Sequence, residues 1–207
     1  MSLCSRVFAR YYDRFQAEYE EYIVPHKRRL FEGVSGAFLE LGPGTGANFR
    51  YLPTGCRWTG IEPNRHMHAS LRKRAKEAGI EPKIHRGGLP RIDLADRAVD
   101  VVISTLVLCS VPRIDSVLQE LRRVLKPGGR FLFIEHVAAA RGTGLRFQQS
   151  IMGPAWRIFG DGCRINREIG TAIESARFSS VEIRSLRVPS PPAPRWVSPH
   201  IIGQAVR

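Results

Sequence analysis

Five short apolar runs alternate with stretches of helical spacing: AFLEL (37–41), RWTGIE (57–62), PKIHR (82–86), VDVVIST (99–105) and RFLFIEHVA (130–138). That alternation restricts the chain to βαβ units, and so to a mainly parallel sheet covered by helices on both faces. The intervening spacing predicts helices near 45–52, 64–78 and 114–125. LKPGG (125–129) stops the third of these at its proline and turns the chain into the next strand. A longer helix is expected over 3–31, where Leu3, Val7, Phe8, Tyr11, Tyr12, Phe15, Tyr19, Tyr22 and Ile23 recur at three-and-four spacing. Arg6, Arg10 and Arg14 run along another stripe of the same helix.

The pattern changes after residue 142. A helical stretch over 145–159 leads to GDGCRINRE and a helix over 166–176. The strand VEIRSLRV, the proline cluster PSPPAP and a last strand HIIGQAV follow. Two late strands suit an antiparallel pair that finishes an otherwise parallel sheet. The chain has 207 residues, enough for one domain with a full core and too few for two large ones. It divides into an N-terminal helical segment (1–33), a core of alternating strands and helices (34–137) and a last segment with the closing strands (138–207).

No apolar run approaches the roughly 20 residues that cross a bilayer, and the arginine-punctuated N-terminus does not read as a cleaved signal peptide. Cys4, Cys56, Cys109 and Cys163 are far apart with no CxxC pair. They read as reduced cytosolic thiols, with no metal site expected. The formal charge is +13, yet only five of the 32 basic residues are lysines and the arginines spread along the whole chain. An arginine-rich solvated surface is the plain reading. Weak attraction to an anionic membrane surface is the second, and nucleic acid is not an expected partner.

AFLEL passes directly into GPGTGAN. Gly42, Gly44 and Gly46 permit a tight turn and close approach of a ligand to the backbone, at the start of a helix with free N–H groups. A dinucleotide fingerprint places its third glycine one position later, where Ala47 stands. Glu62 follows the first glycine by twenty residues at the end of a strand, where its carboxylate reaches the hydroxyls of an adenosine ribose. A redox dinucleotide and a methyl donor both use such a loop.

The set LELGPGTGAN, GIEPN, AVDVVISTLVLCSV and LRRVLKPGGRFLFIEH, in this order and spacing, resembles the class I methyltransferases that use S-adenosylmethionine. The resemblance implies an α/β, Rossmann-like, doubly wound seven-stranded sheet, mostly parallel with the last strand antiparallel. It also implies an N-terminal helix and a helical cap after the fifth strand. By the same resemblance Gly42, Gly44 and Gly46 lie along the donor's methionine part, Glu40 and Asn48 belong to the cofactor-binding set, and Glu62 holds the ribose. Pro63 and Asn64 border the adenine, and Gly88 and Leu89 offer backbone to it. Thr105 and Leu106 touch the donor's centre, and Tyr11 or Tyr12 closes over it.

LVLCSV, IEHVAA, GPAWRIFGDGCRINRE and SPHIIGQAV are similar to the methyltransferase-like protein 7 group, the animal alkyl-thiol S-methyltransferases and their bacterial relatives. This implies transfer to a small thiol. The alternative keeps the donor and changes the acceptor to a phospholipid amine or quinone-type ring at a membrane surface. Animal members begin with a hydrophobic anchor, which this sequence does not show. A thiol reacts as its thiolate, so the residues at the strand ends are candidates for its activation. His136 reads as a general base or orienting group, or as a histidine satisfied by backbone. Asp161 is read as a partner of Arg167 or His136, or as the cap of the following helix. Arg167 either lowers the acceptor thiol's pKa or forms an ordinary ion pair. Cys163 is a reactive thiol or a small buried hydrophobe. Phe147, Ile151, Met152, Trp156 and Phe159 are expected to cap the cofactor and wall an apolar acceptor pocket.

Overall fold

The computed structural model describes residues 3–189 and 194–207, and the centre of the proline cluster lies outside the described residues. So do the side chains of Leu3, Val7, Phe8, Tyr11 and Phe15, and with them the expected role of Tyr11. The first helix, α1, spans Leu3–Leu30. Its C-terminal half buries Tyr19, Ile23, Lys27 and Leu30 along one stripe. Lys27 is fully buried there, with its Nζ 2.5 Å from Glu20.

The core then alternates β1 (Ala37–Leu41), β2 (Arg57–Ile61), α2 (His68–Glu77), β3 (Pro82–His85), β4 (Val99–Thr105), α3 (Ile114–Val124) and β5 (Leu125–His136). The last third adds α4 (Gly144–Phe159), α5 (Ile169–Ser175), β6 (Ser180–Arg187) and β7 (Pro199–Val206). All seven strands form one sheet in the order β3-β2-β1-β4-β5-β7-β6. Every pairing from β3 to β5 is parallel. β7 runs antiparallel to both β5 and β6, and it places His200 opposite His136.

Both faces of the sheet are covered. Leu39, Leu41, Val102, Phe131 and Phe133 pack on one side with α3 and α5. Phe38, Ile103, Leu132 and Ile134 pack on the other with α1 and α2. All five residues of β1 are buried, which explains why AFLEL is nearly continuous in apolar character instead of alternating.

Several boundaries differ from the sequence expectation. The helix expected near 45–52 is a turn followed by a single 3₁₀ turn at Phe49–Tyr51. LKPGG does not separate α3 from its strand: α3 stops at Val124, and Leu125 is already paired with Val99 in β5. The register then jumps to Val101–Arg130, so the Pro-Gly-Gly segment is an irregularity within the strand. The helix expected over 166–176 begins only at Ile169. No helix among the described residues is long and apolar enough to cross a membrane.

The chain order reverses between β1 and β4, each of which neighbours the other although β2 and β3 intervene in sequence. Ligands of open α/β sheets bind at the carboxyl ends of the strands beside such a reversal. A cavity lies there.

Candidate active site

A cavity of about 560 Å³ opens across the carboxyl ends of β1, β2, β4 and β5. The size suits a ligand as large as a nucleoside. Its floor is the glycine turn. Gly42 and Gly44 have φ of +49° and +58°, a region side chains rarely adopt. A Cβ on Gly42 would stand 2.7 Å from Val107 Cγ2, and one on Gly44 would meet the Tyr12 ring at 3.4 Å. Missing side chains here let a ligand approach the backbone closely and allow Tyr12 to close down on the turn.

Glu62 directly follows β2 and forms one wall. The amide of Gly44 donates to its Oε2 over 2.9 Å, and the amide of Asn64 donates to Oε1 over 2.7 Å. Each carboxylate oxygen keeps a lone pair for a further donor, as a ribose diol requires. Burial raises the Glu62 pKa, against the two amide bonds that lower it. Pro63, Asn64, Gly88 and Leu89 continue that wall, and Thr105 and Leu106 stand at its middle.

A clasp holds α1 over this floor. Arg74 of α2 donates to Thr45 Oγ1 over 2.6 Å and to Asp13 Oδ2 over 2.9 Å, while Thr45 Oγ1 donates to Asp13 Oδ1 over 2.7 Å. Tyr12 beside Asp13 is thereby fixed at the cavity edge.

The structure brings most of the expected residues together, with four placed elsewhere. Glu40, Gly46 and Asn48 do not line the cavity. Glu40 is buried beneath it, where Asn48 Nδ2 donates to its Oε1 over 2.8 Å and Trp58 Nε1 donates to its Oε2 over 3.0 Å. Asn48 Nδ2 also reaches Thr105 Oγ1 at 3.2 Å, so the set braces the floor from below. Gly46 packs against Phe49 and Leu71. Arg167 also lies off the wall. It donates to the carbonyls of Leu108 over 2.9 Å and Pro112 over 3.3 Å, which ties down the segment after β4.

Asp161 does line the cavity, at φ +48°. It does not cap a helix: α5 starts eight residues later with Glu168 at its N-cap. Trp156 is the member of the α4 apolar set that faces the cavity. Phe147, Ile151 and Phe159 point outward, 67%, 58% and 76% exposed. Gln149 sets this rotation. Buried on the inner side of α4, its amide accepts from Ala139 N and donates to the carbonyls of Val137 and Trp196. A polar anchor, invisible to an apolar count, turned the helix.

At the β5 end, Glu135 and His136 point to opposite faces. Glu135 is fully buried and accepts from Ser104 Oγ over 2.6 Å and from the amides of Val107 and Cys109 over 3.1 and 3.3 Å. Burial pushes its carboxyl up to about 6. It shapes the turn at Leu106, whose φ is +59°. The sequence reading passed over Glu135, although a carboxylate inside RFLFIEHVA was the available signal.

His136 lines the cavity together with Cys163. Cys163 Sγ is 3.4 Å from His136 Nδ1, and Cys109 Sγ is 4.0 Å from the same nitrogen. The Cys109 thiol donates toward Cys163, which draws Cys163 down to about 5 with help from His136, while Cys109 is pushed up. Cys109 was read only as one of four separated thiols. The fold supplies the proximity that sequence spacing hides.

A methyltransferase-domain family profile matches residues 39–133, the stretch that carries the glycine turn, Glu62 and β4. The human thiol S-methyltransferase TMT1A is 40% identical over 99% of this chain and 88% of its own length. Human TMT1B is 42% identical over 87% of this chain and 78% of its own. The chain belongs to the thiol S-methyltransferase TMT1 family. Among solved structures, a SAM-dependent methyltransferase of Thermotoga maritima has the same fold, with a TM-score of 0.64, 18% identity, and coverage of 97% and 98% of the two chains. The TMT1-family chain is a methyltransferase, and S-adenosylmethionine is its methyl donor. Its residues fit that donor: a carboxylate with free lone pairs, a side-chain-free floor and a cavity of nucleoside size.

Proposed function

We propose that this TMT1-family chain transfers the methyl group of S-adenosylmethionine to a small thiol. The carrying observation is the β5 end of the cavity, where His136 and Cys163 sit among Trp156, Val107 and Val111. A cavity end walled in part by apolar side chains, with one imidazole and with Asp161 and Ser110 on the same lining, suits a small thiol in size. The name of the 40% identical human relative supports the same acceptor class.

Glu62 and His136 stand at the ends of strands separated by β1 and β4, which puts them about 14 Å apart at three strand spacings. One cavity therefore binds the ribose at one end and presents the acceptor at the other. Bound donor supplies an electrophilic methyl carbon, and the protein's task is alignment and exclusion of water. The glycine turn and Glu62 fix the donor. Tyr12 and Trp156 close the cavity from two sides. His136 stands at the acceptor end, where the thiol must be activated, since only a few per cent of an ordinary thiol is ionised at pH 7.

The proposed place of work is the cytoplasmic side of an anionic membrane surface, with peripheral attachment. Phe147, Ile151 and Ile158 form an exposed apolar stripe on α4, on a chain of net charge +13. That combination suits a helix lying on anionic lipid. Cys56, Cys109 and Cys163 are free thiols, in keeping with a reducing compartment.

The test is S-adenosylhomocysteine release from purified protein given hydrogen sulfide, short alkyl thiols or phosphatidylethanolamine vesicles in separate reactions. Turnover with thiols alone supports the assignment. Turnover only with vesicles overturns the acceptor and keeps the donor site.

A further inference from the structure

Three soft or borderline donor atoms converge at one point of the cavity wall. The Sγ atoms of Cys109 and Cys163 and Nδ1 of His136 all lie within 4.8 Å of one another. They come from three separate segments: the turn after β4, the end of β5 and the loop between α4 and α5. Backbone bonds clamp those segments together without using the three side chains. Arg164 N donates to the Cys109 carbonyl over 3.0 Å, and Ala138 N donates to the Arg167 carbonyl over 2.8 Å. The convergence is thus built into the fold.

We propose that Cys109, Cys163 and His136 form a zinc site whose fourth position opens into the cavity and receives the acceptor thiol. Zinc takes thiolate at about 2.3 Å and imidazole nitrogen at about 2.0–2.1 Å, which in a tetrahedron sets sulfur to nitrogen at about 3.5 Å. The observed 3.4 and 4.0 Å stand within about half an ångström of that. Two thiolates and a neutral imidazole balance the dication, so the buried set carries no net charge. Binding requires both sulfurs as thiolates, so the thiol proton still held by the pair leaves to solvent.

Cys109 is wholly buried, whereas Cys163 and His136 line the cavity. The three ligands therefore sit behind and beside the cation, and the vacant direction is toward the cavity. Three protein ligands with one open position is the arrangement of catalytic zinc, and a thiol coordinated there is deprotonated outright. This deepens the thiol-methylation reading and rests on it. On coordination the acceptor's proton leaves to solvent through the open cavity, and His136 serves through Nδ1 as a ligand.

Stripped protein, handled anaerobically, is titrated with cobalt(II) as a spectroscopic probe of the zinc position. One equivalent should give a thiolate-to-cobalt charge-transfer band and the intense visible bands of a four-coordinate ion. Cys109→Ser and Cys163→Ser should each weaken the charge-transfer band, and the double variant should abolish it. S-adenosylhomocysteine binding measured by calorimetry checks that these variants are folded. Addition of ethanethiol should shift the visible bands as a further sulfur enters. No charge-transfer band, a band undiminished in the double variant, or a spectrum unmoved by ethanethiol overturns the site. Thiol turnover at full rate by rigorously metal-free protein also overturns it and leaves thiol methylation standing. An intact cobalt site in a protein that methylates no thiol overturns the acceptor role and the methylation reading while retaining the metal.

Discussion

Trp58 Nε1 donates to Glu40 Oε2 over 3.0 Å, in the layer directly beneath the cavity floor. Burial pushes the Glu40 carboxyl up to about 7, against the bonds from Asn48 and Trp58 that lower it. The folded protein therefore holds a proton that the unfolded chain has released between about pH 4.5 and 7. Stability from this group is complete below the unfolded value and is lost as pH rises through 7. Urea unfolding across pH 5 to 8 should show Glu40→Gln with a flatter dependence than wild type, by up to about 1.4 kcal/mol per pH unit. Parallel slopes would mean that Glu40 stays ionised in the fold.

Glu62 gives a different signature, because its partners are two floor amides and the donor. Glu62→Gln keeps the shape and loses the charge that strengthens bonds to the ribose. Binding of S-adenosylhomocysteine, measured by calorimetry, should weaken by about 1.5–3 kcal/mol, roughly ten-fold or more. Wild-type affinity in this variant would remove Glu62 from the ribose site.

Gln149 serves three backbone groups, so its loss strands all of them. Gln149→Leu should destabilise the protein by about 2–4 kcal/mol, since each buried unsatisfied group costs about 1–3 kcal/mol with partial relaxation. Thermal unfolding reads this directly. An unchanged melting temperature would show that the α4 anchor lies elsewhere.

The outward stripe of α4 should behave in the opposite way. Phe147→Glu with Ile158→Glu changes residues that are 67% and 64% exposed. The melting temperature should stay within about 2 °C, as expected for surface substitutions. Flotation with anionic vesicles should fall several-fold, and wild-type flotation should weaken with salt. Equal flotation of both proteins would place lipid contact on another face.

The sheet was legible because a parallel strand buried on both faces leaves a compact apolar run, as in AFLEL and VDVVIST. The glycine turn and Glu62 were legible because their role depends on local backbone geometry and a fixed separation. The rest depended on packing between distant segments. Glu40 and Asn48 sit inside the fingerprint but brace Trp58 and Thr105 from below, a relation that spacing cannot encode. Arg167, which the sequence offers as a charge beside the acceptor or as a member of an ordinary ion pair, grips the carbonyls of Leu108 and Pro112. The α4 stripe failed for a related reason: an apolar count cannot tell which side a helix buries when a glutamine decides it. The proximity of Cys109 to Cys163 arises from two loops 54 positions apart (163 minus 109).

Strand β7 has a consequence for assembly. Its pairing brings the His200 ring to 4.4 Å from the ring of His136, centroid to centroid, and it is the last strand in the chain. A growing polypeptide has its glycine turn, Glu62 and β4 more than ninety positions before His200 is made. The donor half of the cavity rests on contacts among early strands, whereas the acceptor half waits for an antiparallel partner of high sequence separation. During synthesis, the site therefore acquires a place to hold its reagent before it acquires the finished surface on which that reagent is used.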